Sequence, residues 1–324
     1  MAPRRPFNVD PILTAIAIGY ANPAISRIAD EVMPRTNVGA EDFKYTEYPI
    51  GDAFQVPDAR VGRRGQVQQL EFGGEEKTAS VEDYGLDVSI PYSDIRAADE
   101  ARARKVSMYD PEGHSVAMLT ETMLNIREVR VAQMVHNPAS YAAGRKVVMA
   151  GGSQFSDYEN SDPIGAIKTG IENTLVMPPN TMVMGRSVWS KVASHPGIVN
   201  AIKGNVTGSG IVTRQQFLEL FAGEGITNLL IGDAYYNTAK KGQPVDLQRA
   251  WGKHISLLHI NPMANTEGGG ITWGLTAQYG DKVAGRIEDP DIGLEGGVRV
   301  RSGERLKELI VAPDVGYFIQ NAVT

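Results

Sequence analysis

The sequence predicts an α+β protein, and three observations support that class. A long helix is predicted between a start signal at Asp110-Pro111 and a stop signal at Asn137-Pro138. Residues 161–261 alternate helix and strand patterns, whereas residues 262–324 have the patterns of strands between glycines and prolines. At 324 residues, the chain exceeds the roughly 100–200 residues of one ordinary domain. We therefore expect two packed units, or one domain with large insertions.

The composition excludes several classes of protein. The chain contains no cysteine, which rules out disulfides, thiolate metal sites and cysteine nucleophiles. It carries 32 basic and 38 acidic residues, which gives a net charge of −6. A protein that binds nucleic acid as its main function is expected to have a positive net charge. We find neither an apolar stretch of the roughly 18–20 residues that a membrane span needs nor an export signal. The 35 glycines indicate many tight turns and many strands.

Residues 1–37 have no strong hydrophobic period and are interrupted by five prolines, so they predict an extended arm with short helices only at 12–20 and 24–32. A strand pattern follows at Phe43 and Tyr45. Residues 55–80 are then polar and rich in turn residues, and apolar alternation returns at Leu86, continuing to Pro91. Two strand-like ends around some 25 polar residues predict a long hairpin that projects from the body.

The long helix is the clearest element. Asp110 can accept hydrogen bonds from the first free amides, and Pro111 suits the first helical position because it needs no donor there. The apolar residues recur at helical spacing, which predicts one buried face. This face contains Val116, Leu119, Met123 and Ile126, widened by Leu124, Val131 and Val135.

The same start signal, Asp162-Pro163, opens a second helix that ends before Pro178 and Pro179. Further helices are predicted at 187–194 and 214–222, with strands at 181–184, 228–232 and 255–260. Strands are then predicted at 271–277, around Val298 and Val300, at 309–311 and at 317–319.

Catalytic and metal-binding patterns are weak. None of the five histidines has metal-ligand spacing. Ser187 lies between a strand and a helix, as a nucleophile elbow does, but Trp189 replaces the second glycine, so a helix cap is the simpler interpretation. The enzyme hypotheses are a hydrolase that pairs Ser187 with a histidine, or a cation-dependent enzyme. The residues concerned are His195, His254 and His259, or Asp289, Asp291 and Glu295. We predict no catalytic residue, cofactor or metal.

The order of these parts resembles the major capsid proteins of tailed bacteriophages, the Hong Kong 97 (HK97-like) capsid fold, over nearly the whole chain. Two segments are similar in sequence to parts of that family. Residues 180–204, NTMVMGRSVWSKVASHPGIVNAIKG, resemble its axial-domain segment, and residues 296–323, GGVRVRSGERLKELIVAPDVGYFIQNAV, resemble its closing peripheral strands. The resemblance implies an N-terminal arm (1–37), an extended hairpin loop (38–85), a peripheral domain with the spine helix (86–160), an inserted axial domain (161–261) and closing peripheral strands (262–324).

The resemblance also implies a function: a structural, non-enzymatic subunit that self-assembles into the hexamers and pentamers of an icosahedral head. Packaged double-stranded DNA would be contacted weakly and without sequence specificity, and the protein would lie in the virion after assembly in the host cytoplasm, with no membrane. Portal and decoration proteins are further implied partners. No charged scaffolding extension precedes the arm, so either a separate scaffolding protein exists or the segment was removed; Met1 favours the first. The alternative is an encapsulin-like compartment of the same fold.

The arm and hairpin are expected to contact neighbouring subunits. Their mixed charges should pair better with a neighbour than with one another, giving specificity more than affinity. The predicted contact residues are Arg4, Arg5, Lys44, Asp58, Arg60, Arg63, Arg64, Glu71, Glu75, Glu76 and Lys77.

Overall fold

The computed structural model describes residues 7–22, 26–47, 75–174, 176–204, 209–240, 242–266 and 270–324, together with residues 56, 58–61, 63 and 65–67 of the hairpin. The described α-helices are α1 (Pro11–Gly19), α2 (Ala29–Val32), α3 (Tyr92–Ala103), α4 (Pro111–Val135), α5 (Pro163–Glu172), α6 (Arg186–Val192), α7 (Pro196–Lys203) and α8 (Arg214–Phe221). Short 3-10 helices lie at Pro138–Ser140, Gly151–Ser153, Ala222–Glu224 and Pro313–Val315.

The described strands form four sheets. They are β1 (Asn8–Val9), β2 (Arg35–Asn37), β3 (Asp42–Glu47), β4 (Glu75–Ser80), β5 (Glu82–Pro91), β6 (Lys146–Val148), β7 (Thr181–Gly185), β8 (Asn228–Gly232), β9 (Tyr235–Asn237), β10 (Leu247–Arg249), β11 (Ile255–Leu258), β12 (Gly274–Gln278), β13 (Val283–Asp289), β14 (Gly297–Ile310) and β15 (Gly316–Gln320).

The first large sheet is built around β14, which is 14 residues long. Its order is β1-β13-β14-β12-β2, and β5 pairs antiparallel with β14 over ten residue pairs. Helices α1 and α4 pack on this sheet, and Leu13, Val116, Val298 and Val300 are buried between them. Because β14 pairs with three other strands, it is the central strand of this sheet.

The second large sheet has the order β6-β15-β11-β7-β8. Helices α5 to α8 supply apolar side chains to its core, among them Ile167, Val188, Ile198 and Phe217. The strands β6 and β15 come from segments that the sequence division assigns to the peripheral domain, yet they pair with each other and β15 pairs with β11. The domain division therefore stays a prediction, and the chain returns to this sheet at its C-terminal end.

Most predicted local signals are present. The Asp110 carboxylate accepts from the Glu112 N–H at 3.2 Å, and the Asp162 carboxylate accepts from the Gly165 N–H at 3.0 Å, so both helices begin where the sequence indicates. The spine helix α4 ends one residue before His136. Val116, Leu119 and Met123 are buried along it, but Ile126 is 39% exposed, so its assignment to the buried face is wrong. An α-helix advances 100° per residue, and Ile126 lies at the edge of the stripe.

Several predicted boundaries differ from the structure. Residues 75–80, expected to be part of the polar loop, form β4, which pairs with β3 from Asp42↔Ser80 to Glu47↔Glu75. Residues 271–273 precede the strand predicted there, because β12 begins only at Gly274. Residues 309–310 belong to the long β14 and are not a separate strand. Helices α3 and α7 are absent from the sequence prediction. For α3 the reason is its alanine-rich, charged sequence, which has no apolar stripe.

Candidate subunit-contact surface

The hairpin formed by β3 and β4 is anchored at its base. Phe43 of β3 is 9% exposed and packs with Leu275, Ala277 and Leu309 of the β14 sheet. The Val81 N–H donates to the Glu41 carbonyl at 2.9 Å, where β4 passes into β5. The base of the hairpin is therefore fixed on the body.

The strand β5 continues this anchor through a row of ion pairs with β14. Arg301 lies 2.9 Å from Asp87 and Arg305 lies 3.1 Å from Asp83. Lys307 pairs with Glu82 at the end next to the hairpin. Exposed pairs of this kind each contribute about 0–1 kcal/mol. Their role here is to set the register of β5 on β14, because a shift by one residue would move each carboxylate to the opposite face.

The charges of the hairpin are partly satisfied within the subunit. The Lys44 ammonium lies 2.7 Å from the Glu76 carboxylate across the two strands. Their hydrogen bond raises the pKa of Lys44 and lowers the pKa of Glu76. Asp58 accepts from the Arg60 N–H at 3.1 Å. Both side chains are mostly exposed, at 68% and 62%, so contact of Lys44 and Glu76 with a neighbour stays a prediction.

The described part of the hairpin also exposes apolar side chains that sequence reasoning did not single out. Val56, Val61 and Val67 are 96%, 47% and 76% exposed. Their spacing has no helical or strand period, but their position in a polar loop was a signal that could have been used. Scattered exposed valines are common on monomers; these three lie within twelve residues of the segment that joins β3 and β4.

The other predicted contact residues are placed as follows. Arg60 and Arg63 are exposed. Lys77 of β4 lies opposite Tyr45 of β3. The backbone of Glu75 begins β4, but the structure does not describe its side chain. The remaining predicted contact residues lie outside the described part of the chain: Arg4, Arg5, Arg64 and Glu71. The structure thus brings Lys44 and Glu76 together, and contact of this set with neighbours stays a prediction.

The arm is held on the spine helix by two adjacent charged residues that the sequence did not mark. The fully buried Glu128 carboxylate accepts from the N–H groups of Ile28 and Ala29 at 3.0 and 2.9 Å, and from the Trp251 indole N–H at 2.6 Å. Glu128 therefore lies at the N-terminal end of α2, where a negative charge is favourable.

Arg127, which is 1% exposed, binds the other end of α2. Its guanidinium pairs with Asp30 and donates to the Met33 carbonyl at 3.3 Å and to the Thr276 hydroxyl at 3.1 Å. A positive charge near helix-terminal carbonyls complements the helix dipole. Two consecutive residues of α4 thus fix both ends of one short helix of the arm.

Burial and pairing oppose each other in this cluster. Burial raises the pKa of Glu128, although its three donors and Arg127 favour the ionised form. Burial would also raise the pKa of Asp30, but the neighbouring Arg127 and Arg35 outweigh it and hold that pKa below its usual value. These charges are retained because every carboxylate has donors, which is the condition for burying a charge.

Trp251 joins this cluster to the second sheet. Its ring is fully buried at the ends of β7 and β8, where Gly185 and Gly232 lie opposite each other. A methyl group on Gly232 would overlap the indole, and one on Gly185 would overlap the Trp251 carbonyl. The absence of a side chain at Gly232 therefore leaves room for the indole ring, and its absence at Gly185 leaves room for the backbone of residues 251 and 252. The indole N–H donates to Glu128.

The residues of the enzyme hypotheses have structural partners. The Ser187 hydroxyl donates weakly, at 3.5 Å, to the Gly252 carbonyl. His195 Nδ1 accepts from the Gly197 N–H at 3.1 Å, so Nε2 carries the proton that it shares with Ser161 at 3.0 Å. A histidine in this state caps α7 and has no free lone pair to act as a base.

The acidic loop after β13 also serves the fold. Asp289 is 2% exposed, accepts from the Asp291 N–H at 3.0 Å and pairs with Arg299 at 2.6 Å, while Glu295 pairs with Arg96. Among the residues that the structure describes, no group of three or more histidine, aspartate or glutamate side chains could hold a metal ion. None of the described helices is both long and apolar enough to cross a membrane.

Two phage proteins, both named major capsid protein, are similar to this chain over almost its whole length. The one from Pseudomonas phage JBD67 is 42% identical over 318 residues, which is 98% of each chain. The one from Burkholderia phage BcepMu is 29% identical over 323 residues, covering 96% of this chain and 95% of that protein. No protein-family model matches the chain.

Solved structures share the fold. A phage-related protein from Bordetella bronchiseptica RB50 has a TM-score of 0.72 at 21% identity, covering 98% of this chain and 99% of that one. The capsid of Cyanophage P-SCSP1u has a TM-score of 0.58 at 10% identity, with 93% and 90% coverage. The SrpI encapsulin of Synechococcus elongatus has a TM-score of 0.51 at 11% identity, with 94% and 90% coverage. The fold is thus common to phage shells and to encapsulins.

Proposed function

This chain belongs to the major capsid proteins of tailed bacteriophages, which have the HK97-like fold, and from that premise we propose how it builds a shell. Its role is structural: the sheets and the spine helix form the tile, and the hairpin carries contacts to neighbouring tiles. The resulting shell consists of hexamers and pentamers and encloses double-stranded DNA. A separate scaffolding protein, a portal and decoration proteins complete it in the host cytoplasm.

The observation that carries this proposal is the contrast within the hairpin. Its base is fixed to the body by Phe43 and by β5, whereas beyond the base it exposes Val56, Val61 and Val67. Burying one valine side chain fully contributes about 1.5–3 kcal/mol. An exposed loop with a rigid base can place such residues on a neighbour reproducibly, because little freedom of its base is lost on contact.

The charged residues of the same loop add specificity. Arg60 and Arg63 are exposed beside the valines. Charges at the rim of a contact steer partners and exclude wrong ones more than they add affinity. Each subunit of a shell touches several others, so weak contacts acting together give a stable assembly. One modest interface per hairpin is therefore sufficient.

The charge balance supports DNA as the content of the shell. At a net charge of −6, the protein surface as a whole does not attract phosphates. DNA held by many basic side chains would bind tightly and in a strongly salt-dependent manner. A container with weak, sequence-independent contacts lets the packaged molecule move, which packaging and release both require.

The experiment that tests the proposal removes the loop and keeps its base. Residues 48–74 are replaced by a short Gly/Ser turn. The strands β3 and β4 then remain paired, and Phe43 still packs against Leu275 and Leu309. We expect a folded subunit with a wild-type circular dichroism spectrum that forms no closed shells by electron microscopy. A matched control shortens the exposed turn between β9 and β10, at residues 239–245, and should still assemble. Normal shells from the loop replacement would refute the role of the hairpin.

A further inference from the structure

Two histidine rings meet where the spine helix ends. His136 follows the last residue of α4, and His254 precedes β11. Their ring centroids lie 5.2 Å apart with an angle of 78° between the planes. The rest of the surroundings is aromatic: Trp251 is edge-on to His136 at 5.3 Å, and Phe318 of β15 lies 6.2 Å from His136 and 5.3 Å from His254.

His136 makes no polar contact through its side chain. The residue as a whole is half-buried, but both ring nitrogens are enclosed and neither has a hydrogen-bond partner among the described residues. Buried polar atoms are normally paired, so an unpaired imidazole needs a reason. His254 differs, because its Nδ1 accepts from the Asn321 N–H at 2.9 Å. That acceptor exists only while Nδ1 is unprotonated.

Among the residues that the structure describes, no carboxylate pairs with either ring. The charged or titratable groups around the pair are Lys253 beside His254, Tyr141 of the segment after α4, and Glu128, which lies beyond Trp251 and is already bound to its indole N–H. The helix end could itself favour a cation, but its last two carbonyls already accept hydrogen bonds from side chains. The Val135 carbonyl accepts from the Tyr141 hydroxyl at 2.7 Å, and the Met134 carbonyl accepts from the Ser140 hydroxyl at 2.7 Å.

We propose that His136 and His254 form an acid-sensitive joint, which keeps the end of α4 packed against β11 and β15 only while both rings are neutral. Proton uptake places an unpaired charge in an aromatic enclosure and, at His254, removes the acceptor of the Asn321 N–H. The packing must then open so that water can solvate the imidazolium. The joint connects the spine helix to the C-terminal strand, so opening loosens the second sheet from the first.

The direction of the pH dependence follows from burial. Burial lowers the pKa of His136 to about 3, with a smaller effect from His254, and it also lowers the pKa of His254. The unfolded chain therefore takes up the proton first, below pH about 6.5. Stability from this joint is complete above that pH and is lost as the pH falls towards the value in the folded state. For one such histidine, the unfolding constant rises about tenfold per pH unit.

The test compares urea unfolding of the full-length chain at pH 7 and pH 4.5. We expect the unfolding constant of the wild type to rise about 100-fold more than that of His136→Gln, which cannot ionise there. His114→Gln is the matched control, because His114 is exposed, and it should behave like the wild type. Hydrogen exchange at pH 4.5 should show the Asn321 amide losing protection before the amides of β14.

Two results would overturn the joint: equal pH responses in the wild type and His136→Gln, or loss of β14 protection before that of Asn321. If His136→Gln does not fold, the ring resonances of wild-type His136 are titrated by NMR. A midpoint below pH 4.5 supports the joint, and a midpoint near 6.5 in the folded chain contradicts it. None of these measurements requires shells, so they remain readable if the proposed role of the hairpin is refuted.

Discussion

Replacing Glu128 tests how the arm is held on the spine helix. Glu128→Ala removes the acceptor of three buried donors, the N–H groups of Ile28 and Ala29 and the indole N–H of Trp251. Each orphaned donor costs about 1–3 kcal/mol. Water entering the vacated space recovers part of this, so we expect a loss of about 3–6 kcal/mol. That is a large share of the about 5–15 kcal/mol that stabilises a typical domain.

Urea unfolding measures the free energy of unfolding, and the rate of trypsin cleavage in residues 1–37 measures release of the arm. Arg27 and Arg35 have side chains only 13% and 21% exposed, so cleavage after them should accelerate when the arm is released. Glu128→Gln keeps one acceptor oxygen and should lose less, about 1–3 kcal/mol. The control is Glu100→Ala, whose side chain is 69% exposed and pairs with the exposed Arg104 at 3.4 Å. The reasoning fails if Glu128→Ala stays within about 1 kcal/mol of Glu100→Ala and trypsin cuts both equally.

Two further substitutions test the packing of the two sheets. Val116→Asp places a carboxylate at a fully buried position of α4 and should abolish folding, as judged by circular dichroism, whereas Ile126→Asp at an exposed position of the same helix should fold normally. Gly232→Ala forces a methyl group into the Trp251 indole and should cost about 1–3 kcal/mol in urea unfolding. The control is Gly223→Ala, because Gly223 has open space around it. Equal stability of the two alanine variants would contradict the close packing of the Trp251 indole against Gly232.

The elements that were predicted correctly depend on signals close together in sequence. Asp110 with Pro111, and Asp162 with Pro163, open helices because the cap and the first helical position are adjacent residues. The alternation from Leu86 to Ile90 predicts β5 for the same reason, because side chains two apart lie on one face of a strand. The helix α3 lacks such a signal: it is charged on most sides and buries only Ala98.

The hairpin was predicted in outline, but its strand pairing was missed. The length and polarity of residues 55–80 indicate a projecting segment, but the pairing of β3 with β4 joins residues more than 30 apart, as Lys44 and Glu76 show. The order of the parts also carried the resemblance to phage capsid proteins, which the 42% identical relative confirms. Individual contacts of the hairpin with neighbours depend on a second chain.

The buried charges of the spine helix are the features that sequence reasoning could not reach. Arg127 lies on the apolar stripe of the helix, four residues from both Met123 and Val131. In an isolated helix Arg127 and Glu128 would still be solvated, because the groups that bind them come from other segments of the chain. Glu128 receives its donors from residues 99, 100 and 123 positions away. Which charge is buried is decided by what the fold brings against it, since a buried carboxylate is stable only where donors converge.

By itself, the sequence determined the long helix and, through the order of its local patterns, the kind of protein. These follow from interactions between near neighbours, which act before the chain is folded. Only the tertiary structure decided that β6 and β15 share a sheet with β7, that the Trp251 indole packs against Gly232 and donates to Glu128, and that His136 meets His254. Such contacts join distant segments, and their energies exist only once the packed fold has excluded water from them.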